Sequence, residues 1–409
     1  MNIEWIILMN NFKIPKIRFM NFNDKWKYKI LGEISNSIEY GLNASAKDFD
    51  GIHKYLRITD IDDSSRLFLT DKLSSPDVNF TEEDYENYKL QINDLLFART
   101  GASVGKTYLY RESDGEVYFA GFLIRARLHD SYDGNFIFQQ TLTDKYKQFI
   151  EITSQRSGQP GVNGKEYGDW KIGMTSYPEQ SAIGSLFRTL DDLLANYKDN
   201  LTNYQSLKAT MISKMFPKAG QTVPEIRLDG FEGEWENKIL SEVTNITMGQ
   251  SPKSENYTDN PNDYILVQGN ADIKDKQVVP RLWTTEVTKT AEIGDIILTV
   301  RAPVGDIGKT DYNVVIGRGV AAIKGNDFIF YTLEKMKMTG FWNRFSTGST
   351  FESISSNDIK EAIIQIPTLK EQQAIGSYFS NLDNLINSHQ EKISQLETLK
   401  KKLLQDMFI

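Results

Sequence analysis

Two segments of the chain repeat one spacing of apolar residues, and this spacing predicts two long helices. Successive apolar positions alternate between steps of four and three residues, which is typical of a coiled-coil seam. Because both seams have the same phase, we expect the helices to pair with each other, although packing across the helix's own domain is an alternative. The predicted helix-pairing residues are Ile183, Phe187, Leu190, Leu194 and Leu201 in the first segment, and Ile375, Phe379, Leu382, Ile386 and Ile393 in the second.

The start of each helix is predicted from a capping-box pattern. Ser176 is followed three residues later by Glu179, and Thr368 is followed in the same way by Glu371. In this motif the hydroxyl accepts a hydrogen bond from an early backbone N–H, and the glutamate reaches back to the cap. Each helix would run for roughly 38 residues, or about 55 Å at 1.5 Å per residue.

The rest of the chain alternates short β-rich runs with turn residues and shorter helical segments. Runs such as residues 93–101 and 294–303 are rich in Ile, Leu, Val and Phe and are bounded by Gly, Asp and Asn. This pattern is typical of strands in a mixed α+β domain. Similar runs occur before each long helix, so the domain is predicted to be present twice.

The chain is a duplication of one segment of about two hundred residues. Nine of the 19 positions starting at Pro15 are identical to those starting at Pro224, and both copies end in Met-Phe. The predicted domains are an N-terminal extension (1–14), a first α/β domain (15–175) with its long helix (176–217), a linker (218–223), and a second α/β domain (224–367) with its long helix (368–409).

Composition narrows the possible functions. The 409 residues include no cysteine and only three histidines, which excludes disulfides and thiolate sites and makes a histidine-based metal site or base improbable. The longest apolar runs are too short to span a membrane, so we expect a soluble, cytoplasmic protein. The net charge of −8 argues against a nucleic-acid binder, but local patches set the field at a groove.

Residues 101–107, GASVGKT, resemble part of a phosphate-binding loop. The leading glycine of a Walker A motif is displaced by one residue, because Thr100 occupies its place. We match Lys106 in the first copy to Lys309 in the second, where Pro303 stands in the loop and lacks the N–H that phosphate binding needs. The sequence therefore favours a structural turn over a nucleotide hydrolase.

Two other enzyme classes also find little support. A DNA methyltransferase would need a catalytic motif and a glycine-rich cofactor loop, and the nearest match, at Asn260, lacks the second proline and the aromatic residue. A metal-dependent nuclease remains an alternative, with Asp94 and Asp295 at matching positions before a strand. An aspartate at such a position is more often a turn residue.

The order of these motifs, and their occurrence twice, resembles the specificity subunit of type I restriction–modification enzymes. The motifs are the P-x-I-R opening with its downstream tryptophan, the strand and turn before Gly-Lys, and the E-Q-x-A-I-G helix start. The resemblance implies two target recognition domains that each bind one half of a bipartite double-stranded DNA site, and two helices that pair antiparallel as a spacer.

The resemblance also implies partners. Two modification (methyltransferase) subunits would dock on the chain, and restriction (translocase/nuclease) subunits would join them. The chain itself would hold no catalytic centre, no metal and no cofactor, whereas S-adenosylmethionine, ATP and Mg would be bound by the partner subunits. A coiled-coil scaffold that does not bind DNA remains an alternative.

The candidate DNA-binding residues lie at the repeated turn and in the polar loops before each long helix. The loops span residues 154–164 and 346–356 and offer side chains that can contact bases and phosphates. A domain-internal ion pair is an equally good interpretation of each repeated cation. The candidates are Arg99, Lys106, Arg156, Gln159 and Asn163 in the first copy, and Arg301, Lys309, Ser346 and Ser349 in the second.

Overall fold

The computed structural model describes residues 14–156, 158–345 and 353–409. The chain forms two compact units: unit 1 comprises the residues up to Asp199 together with Glu391–Ile409, and unit 2 comprises Asn200–Gln390. The division falls inside both long helices. The predicted domain boundaries, which lie at the ends of those helices, stay predictions.

Unit 1 is a mixed α+β domain built around a four-stranded sheet. The sheet has the order β2-β9-β6-β7 and is antiparallel throughout. The parallel pair β4 and β8 and the antiparallel pairs β1–β10 and β3–β5 surround it. The strands are β1 Lys27–Ile30, β2 Ser35–Tyr40, β3 Ala46–Asp48, β4 Lys54–Leu56, β5 Ser74–Pro76, β6 Asp94–Ala98, β7 Thr107–Leu109, β8 Val117–Phe119, β9 Leu123–Leu128 and β10 Lys171–Met174, and the helices are α1 Gly134–Gln140, α2 Asp144–Thr153 and α3 Gly164–Gly168.

The central strand β6 separates two cores of unit 1 because its side chains alternate between the faces of the sheet. Leu95 and Phe97 belong to the core that contains Trp26, whereas Leu96 and Ala98 belong to a second core. All five residues of β6 are buried. A strand buried on both faces explains the unbroken apolar run Leu-Leu-Phe-Ala in the sequence.

Two long helices follow the α/β domains: α4 spans Tyr177–Met215 (39 residues) and α8 spans Leu369–Asp406 (38 residues). Between them, unit 2 contains a six-stranded sheet of order β12-β22-β19-β20-β16-β15 and a five-stranded sheet of order β13-β17-β14-β21-β18. The strands are β11 Glu236–Ile239, β12 Ile246–Met248, β13 Tyr257–Thr258, β14 Tyr264–Val267, β15 Ile273–Lys274, β16 Gln277–Val278, β17 Trp283–Thr284, β18 Thr290–Ala291, β19 Ile296–Thr299, β20 Ile307–Lys309, β21 Val314–Ile316, β22 Val320–Ile323 and β23 Ile363–Ile366, and the short helices are α5 Leu240–Val243, α6 Asp327–Met338 and α7 Ser356–Lys360.

In each unit, one part of α4 lies antiparallel to one part of α8. In unit 1, Lys400 donates to Asp191 at 2.5 Å and Lys198 pairs with Glu397 at 2.7 Å. Rising residue numbers on α4 therefore face falling numbers on α8. The α+β class, the long helix after each domain and the antiparallel pairing are thus confirmed.

The same direction holds inside unit 2. Lys208 Nζ contacts both carboxylate oxygens of Asp383 at 2.5 and 2.7 Å. The rings of Tyr204 and His389 meet edge to face, with centroids 5.1 Å apart. Over the described residues, neither these helices nor any other is apolar enough over sufficient length to cross a membrane.

The predicted seam residues also close the domain cores. Near its start, α4 packs into the core around Trp26 in unit 1, and α8 packs into the corresponding core of unit 2. The alternative of packing across the helix's own domain therefore applies to the first turns of each helix. The core residues are Ile183, Phe187, Leu190, Ile375 and Phe379; Leu194, Leu382 and Ile386 are buried, and Leu201 and Ile393 are half-buried.

A buried ion pair ties the start of each copy to the start of its long helix. Arg18 donates to both carboxylate oxygens of Glu179 at 2.6 and 2.7 Å, and Arg227 does the same to Glu371 at 2.8 and 2.7 Å. The two glutamate side chains are 0 and 1% exposed. The Thr368 hydroxyl accepts from the Glu371 N–H at 3.4 Å, as predicted. The predicted return of the glutamates to the cap was wrong, because a bidentate arginine is a stronger partner for a buried carboxylate than one backbone N–H.

The repeated Met-Phe ends complete the cores of the two units. In unit 1, the ring of Phe408 stacks on Phe187 at 5.6 Å and lies 5.5 Å from Phe136. In unit 2, Phe216 stacks on Phe379 at 6.1 Å and on Phe328 at 5.4 Å. Each unit thus receives the last aromatic residue of the sequence copy that does not supply its α/β domain. The phenylalanine of each Met-Phe pair therefore packs at an equivalent place, which explains why this pair occurs in both copies.

Candidate nucleic-acid interface

In unit 1, four of the five predicted DNA-binding residues come together beyond the end of β6. The loop 154–164 pairs with the extension of this strand: Thr100 bridges Gly161, and the Val162 N–H donates to the Arg99 carbonyl at 2.9 Å. This pairing brings the polar loop against Arg99. The strand and the loop are about 60 residues apart in the sequence, so their contact could not be predicted from the sequence.

Each loop residue in this group has its own role. Asn163 caps α3 by accepting from the Glu166 N–H at 3.0 Å, so its side-chain oxygen is already engaged. Arg156 is exposed and donates to Glu166 Oε1 at 2.5 Å. Gln159 is exposed and lies over Gly101, where an added Cβ would be 2.9 Å from Gln159 Nε2. Of these residues, Gln159 keeps the most freedom to bind a ligand.

Lys106 lies apart from this group. Its side chain is buried and donates to the Ile61 carbonyl at 3.1 Å and to Asp63 at 2.5 Å. The hydrogen bond from Lys106 holds the pKa of the Asp63 carboxyl below its usual range. The domain-internal ion pair that the sequence left open is therefore present here.

The turn between β6 and β7 contains Gly105, and its equivalent in unit 2 is Gly305. The sequence had instead suggested the glycine of the Gly-Lys-Thr triplet that includes Lys309. Gly105 and Gly305 have φ angles of +82° and +87°, and their N–H groups donate to Ala98 and Thr299 at 3.0 and 2.9 Å. An added Cβ would lie 2.8 Å from Ile150 at the first glycine and 2.5 Å from Trp342 at the second. Both turns therefore require glycine for the backbone angle and for space.

This match shifts the neighbouring residues. Leu109 in β7 pairs with β6 at the place where Lys309 in β20 pairs with β19, so these two residues correspond. By the same register, Lys106 corresponds to Asp306. The match of Lys106 to Lys309 through Gly-Lys-Thr was therefore wrong. Lys309 forms an ion pair with Asp327 and lies over the Phe330 ring, with Nζ 5.4 Å from the centroid.

Arg99 and Arg301 also occupy different positions. The N–H of Arg99 donates to Phe122, whereas in unit 2 it is Val300 whose N–H donates to the equivalent carbonyl of Gly319. Arg301 therefore corresponds to Thr100, one residue farther along. Successive residues of a strand point to opposite faces, so the two arginines are not equivalent, contrary to the sequence match.

In unit 2, Arg301 is exposed and bridges Ser353 through its backbone. The second polar loop therefore contacts the extension of β19, as the first loop contacts that of β6. The predicted contact residues Ser346 and Ser349 lie outside the described residues. Among the described residues, the Arg301 side chain has no hydrogen-bond or ion-pair partner.

Three residues at these sites were missed by the sequence analysis. Tyr40 at the end of β2 and Phe122 before β9 are exposed aromatic residues beside Arg99, and Arg318 is exposed on the turn before β22. The strand pairing puts Tyr40 opposite Ile124 in β9, and Phe122 is two residues before Ile124. The period-2 alternation of β9 could have placed Phe122 on the face of Ile124, but the partner strand is not visible in the sequence.

The structure gives the paired aspartates a structural role. Asp94 is fully buried, accepts two hydrogen bonds from Arg127 at 2.8 and 2.9 Å, and accepts the Gln91 N–H. Asp295 accepts the Glu292 N–H in the same turn geometry. Within the described ranges, no group of three or more acidic or histidine residues could hold a metal ion.

A polar cavity of about 350 Å³ in unit 2 contains a cluster of four charged groups. Lys208 binds Asp383 and Glu334, and Lys276 also binds Glu334. Burial lowers the pKa of Lys208. Burial also acts to lower the pKa of Lys276, but Glu334 and Asp383 together outweigh it, so this pKa is raised. The charges are mutually compensated, and Lys208 on α4 joins Glu334 on α6 and Asp383 on α8 inside unit 2.

A family model described as the type I restriction modification DNA specificity domain matches residues 232–398. The MjaX type I restriction enzyme specificity subunit of Methanocaldococcus jannaschii is 27% identical over 411 residues, covering 96% of this chain and 95% of the relative. The MjaVIII specificity subunit of the same organism is 20% identical, covering 98% and 96%.

Among solved structures, the S subunit of a type I restriction–modification system from M. genitalium aligns with a TM-score of 0.68 at 16% identity, over 97% of this chain and 99% of that chain. A chain from a structural study of the complex assembly of a type I R-M system aligns with a TM-score of 0.51 at 22% identity, over 94% of this chain and 97% of that chain. Both alignments run over nearly the whole length and show a shared fold.

Proposed function

We propose that this chain, like the type I restriction enzyme specificity subunits to which it is similar, is a DNA specificity subunit, and that each of its two units binds one half of a bipartite DNA target. The chain is a non-catalytic subunit that acts within a complex with DNA. The nuclease and scaffold alternatives are not favoured. The finer division of labour between the units is the proposal.

The observation that carries this proposal is a difference between equivalent positions. Beyond the central strand, unit 1 presents Tyr40, Arg99 and Phe122, and strand pairing puts Met248, Val300 and Gly319 at the same places in unit 2. Two sites with the same backbone and different side chains would bind different base sequences. An asymmetric, bipartite target follows from such a pair.

Local charge supports binding at these sites despite the net charge of −8. The side chains of Arg99, Arg301 and Arg318 have no acidic partner among the described residues, whereas Arg125 and Arg127 of the same sheet as β6 bind Glu39 and Asp94. Uncompensated arginines on a surface attract phosphates and base acceptors.

The partners in this proposal are two modification (methyltransferase) subunits and the restriction subunits. The chain would direct both kinds of subunit to the bound target. S-adenosylmethionine, ATP and Mg would be bound by those subunits and not by this chain. This assignment follows from the family resemblance. The DNA target can be measured through the methyltransferase partner, because that subunit methylates the DNA that the complex binds.

The proposal is tested by replacing residues 15–175 with the equivalent region of a related specificity subunit. The chimera is co-expressed with the modification subunit, and methylated positions are mapped across the host genome. We expect one half of the target to change to that of the donor and the other half to stay the same. The matched control replaces residues 224–367 and should change only the other half.

A change in both halves from either replacement would contradict the division into two independent sites. The scaffold alternative predicts that methylation does not depend on the replaced region at all. DNA binding by the complex should also weaken steeply as salt rises, because phosphate contacts release counterions. A flat salt response would favour the scaffold.

A further inference from the structure

Arg99 is held by two exposed aromatic rings. Its guanidinium carbon lies 5.2 Å from the centroid of the Tyr40 ring and 5.7 Å from that of Phe122. Both distances are within the range of cation–π attraction. The two rings remain 45 and 60% exposed. Rings this exposed contribute little to a core, but they restrict the rotamers of the arginine between strands β2 and β9.

The strand register explains why these three side chains meet. Tyr40 pairs with Ile124, and Ile124 pairs with Phe97 of β6. Phe122 lies two residues before Ile124, and Arg99 lies two residues after Phe97, so all of them share one face of the sheet. Ile124 and Phe97 are in the core, and the same face continues outward to the aromatic rings and Arg99.

The hydrogen-bonding capacity of Arg99 is not used within the described residues. Its Nε atom is buried and has no partner there, and no carboxylate pairs with its guanidinium. Arg127 in the same sheet is saturated by Asp94 through two hydrogen bonds. Arg99 is therefore a positioned cation that lacks an acceptor.

We propose that Arg99 recognises a guanine in the half-site bound by unit 1, and that Tyr40 and Phe122 are positioning residues for its guanidinium. Guanine presents O6 and N7 in the major groove, and two N–H groups of a planar guanidinium match these two acceptors. The inference deepens the proposed function and rests on it.

A base contact fits better than a phosphate contact. The phosphate backbone is the same in both half-sites, so a contact that only positions the protein could recur at equivalent places. Arg99 corresponds instead to Val300, which is 3% exposed in the core of unit 2. A residue that distinguishes bases is expected to differ between the two units, as this cation does.

The test uses the full chain with its modification subunit and maps methylation on a library that randomises every position of the target. In Arg99→Ala, we expect discrimination for one guanine of the unit 1 half-site to fall by about 5- to 150-fold. Arg99→Lys should lose most of the same discrimination, because an ammonium cannot form the two-donor fork. Phe122→Ala should lose part of it at the same position.

The matched control is Ile92→Ala, which removes an apolar side chain that is 63% exposed and lies before β6, at the end of the strand opposite to Arg99. It should retain the guanine preference. Preferences in the unit 2 half-site should be unchanged in all variants. The Phe122 side chain is exposed, so a thermal-unfolding measurement is expected to show that Phe122→Ala stays folded.

Three outcomes would overturn the inference. The first is a unit 1 half-site with no guanine on either strand, and the second is an Arg99→Lys variant that keeps the full preference. Uniform weakening of binding across all sequences, with a salt slope smaller by about one, would identify a phosphate contact instead. Absence of any site-specific methylation by the unaltered chain is a different result, since it overturns the proposed function and this inference together.

Discussion

The turn after the central strand carries opposite charges in the two units. In unit 1 it carries Lys106, which binds Asp63 at 2.5 Å, and in unit 2 it carries Asp306, which binds Lys337. Burial lowers the pKa of Lys337. The preceding glycine, with positive φ, is the same in both units. Both turns therefore keep the glycine and a local ion pair, whereas the sign of the charge on the turn differs.

The two units share a frame, by which we mean the packing contacts that recur in both, and they differ at surface positions. The Arg–Glu pair, the buried tryptophan of each core and the final phenylalanine recur with the same partners in each unit. The positions around Arg99 and Val300 share only their backbone. A duplicated chain can thus keep one set of packing contacts while the side chains beyond its central strands differ between the units.

The largest expected effect tests whether the final aromatic residues belong to the units we assign. Phe408→Ala removes a ring from the core of unit 1, and Phe216→Ala removes one from unit 2. Each should lower the free energy of unfolding by about 3–5 kcal/mol. Amide hydrogen exchange should show lost protection in β6 and β9 for the first variant and in β19 and β22 for the second.

Leu385→Ala provides the control for these two variants, since this leucine on α8 is 45% exposed. Its protection pattern should match that of the unaltered chain. Loss of protection in unit 2 from Phe408→Ala would contradict the assignment of the ring to unit 1.

The next effect concerns the repeated ion pair. Arg18→Ala leaves the fully buried Glu179 without a cation, and Arg227→Ala does the same to Glu371. An uncompensated buried charge costs about 3 kcal/mol or more, measured by urea unfolding. The double variant Arg18→Met with Glu179→Leu should lose much less, because it removes both charges. Equal losses in the single and double variants would show that packing, not charge, matters here.

The smallest expected effect distinguishes the two interpretations of Lys106. Lys106→Met removes the hydrogen bond to Ile61 and the pair with Asp63, and should cost about 1 kcal/mol. The salt slope of DNA binding by the complex should stay unchanged. A slope smaller by about one would instead support the predicted DNA contact. Asp306→Asn is the matched change in unit 2 and should leave the slope unchanged as well.

The sequence predicted the frame well for a physical reason. Ile183, Phe187 and their equivalents repeat every three or four residues, and a helix imposes that period locally whatever it packs against. Arg18 and Glu179 could also be identified from the sequence, because the same residue types recur at the matching positions of the second copy. Their contact could not, because they lie 161 residues apart, and the capping box was a local explanation for a long-range pair.

Prediction of the candidate interface was less complete. The polar loop with Gln159 was identified by composition and does lie against Arg99, but its role in DNA binding stays a prediction. The match of Lys106 to Lys309 failed because the loop before the turn is one residue shorter in unit 2, and a similar Gly-Lys-Thr triplet follows three residues later. Identity over three residues is weaker than the backbone requirement for a glycine with positive φ.

The sequence by itself determined the duplication, the two long helices and the mixed α/β domains, because these follow from local periodicity and from repetition. Only the tertiary structure decided which residues are equivalent beyond the central strands. Side chains alternate with a period of two along a strand, so a shift of one residue moves Arg301 to the face opposite that of Arg99. The pairing of β2, β9 and β6 then brings Tyr40 and Phe122 to Arg99 from distant parts of the chain.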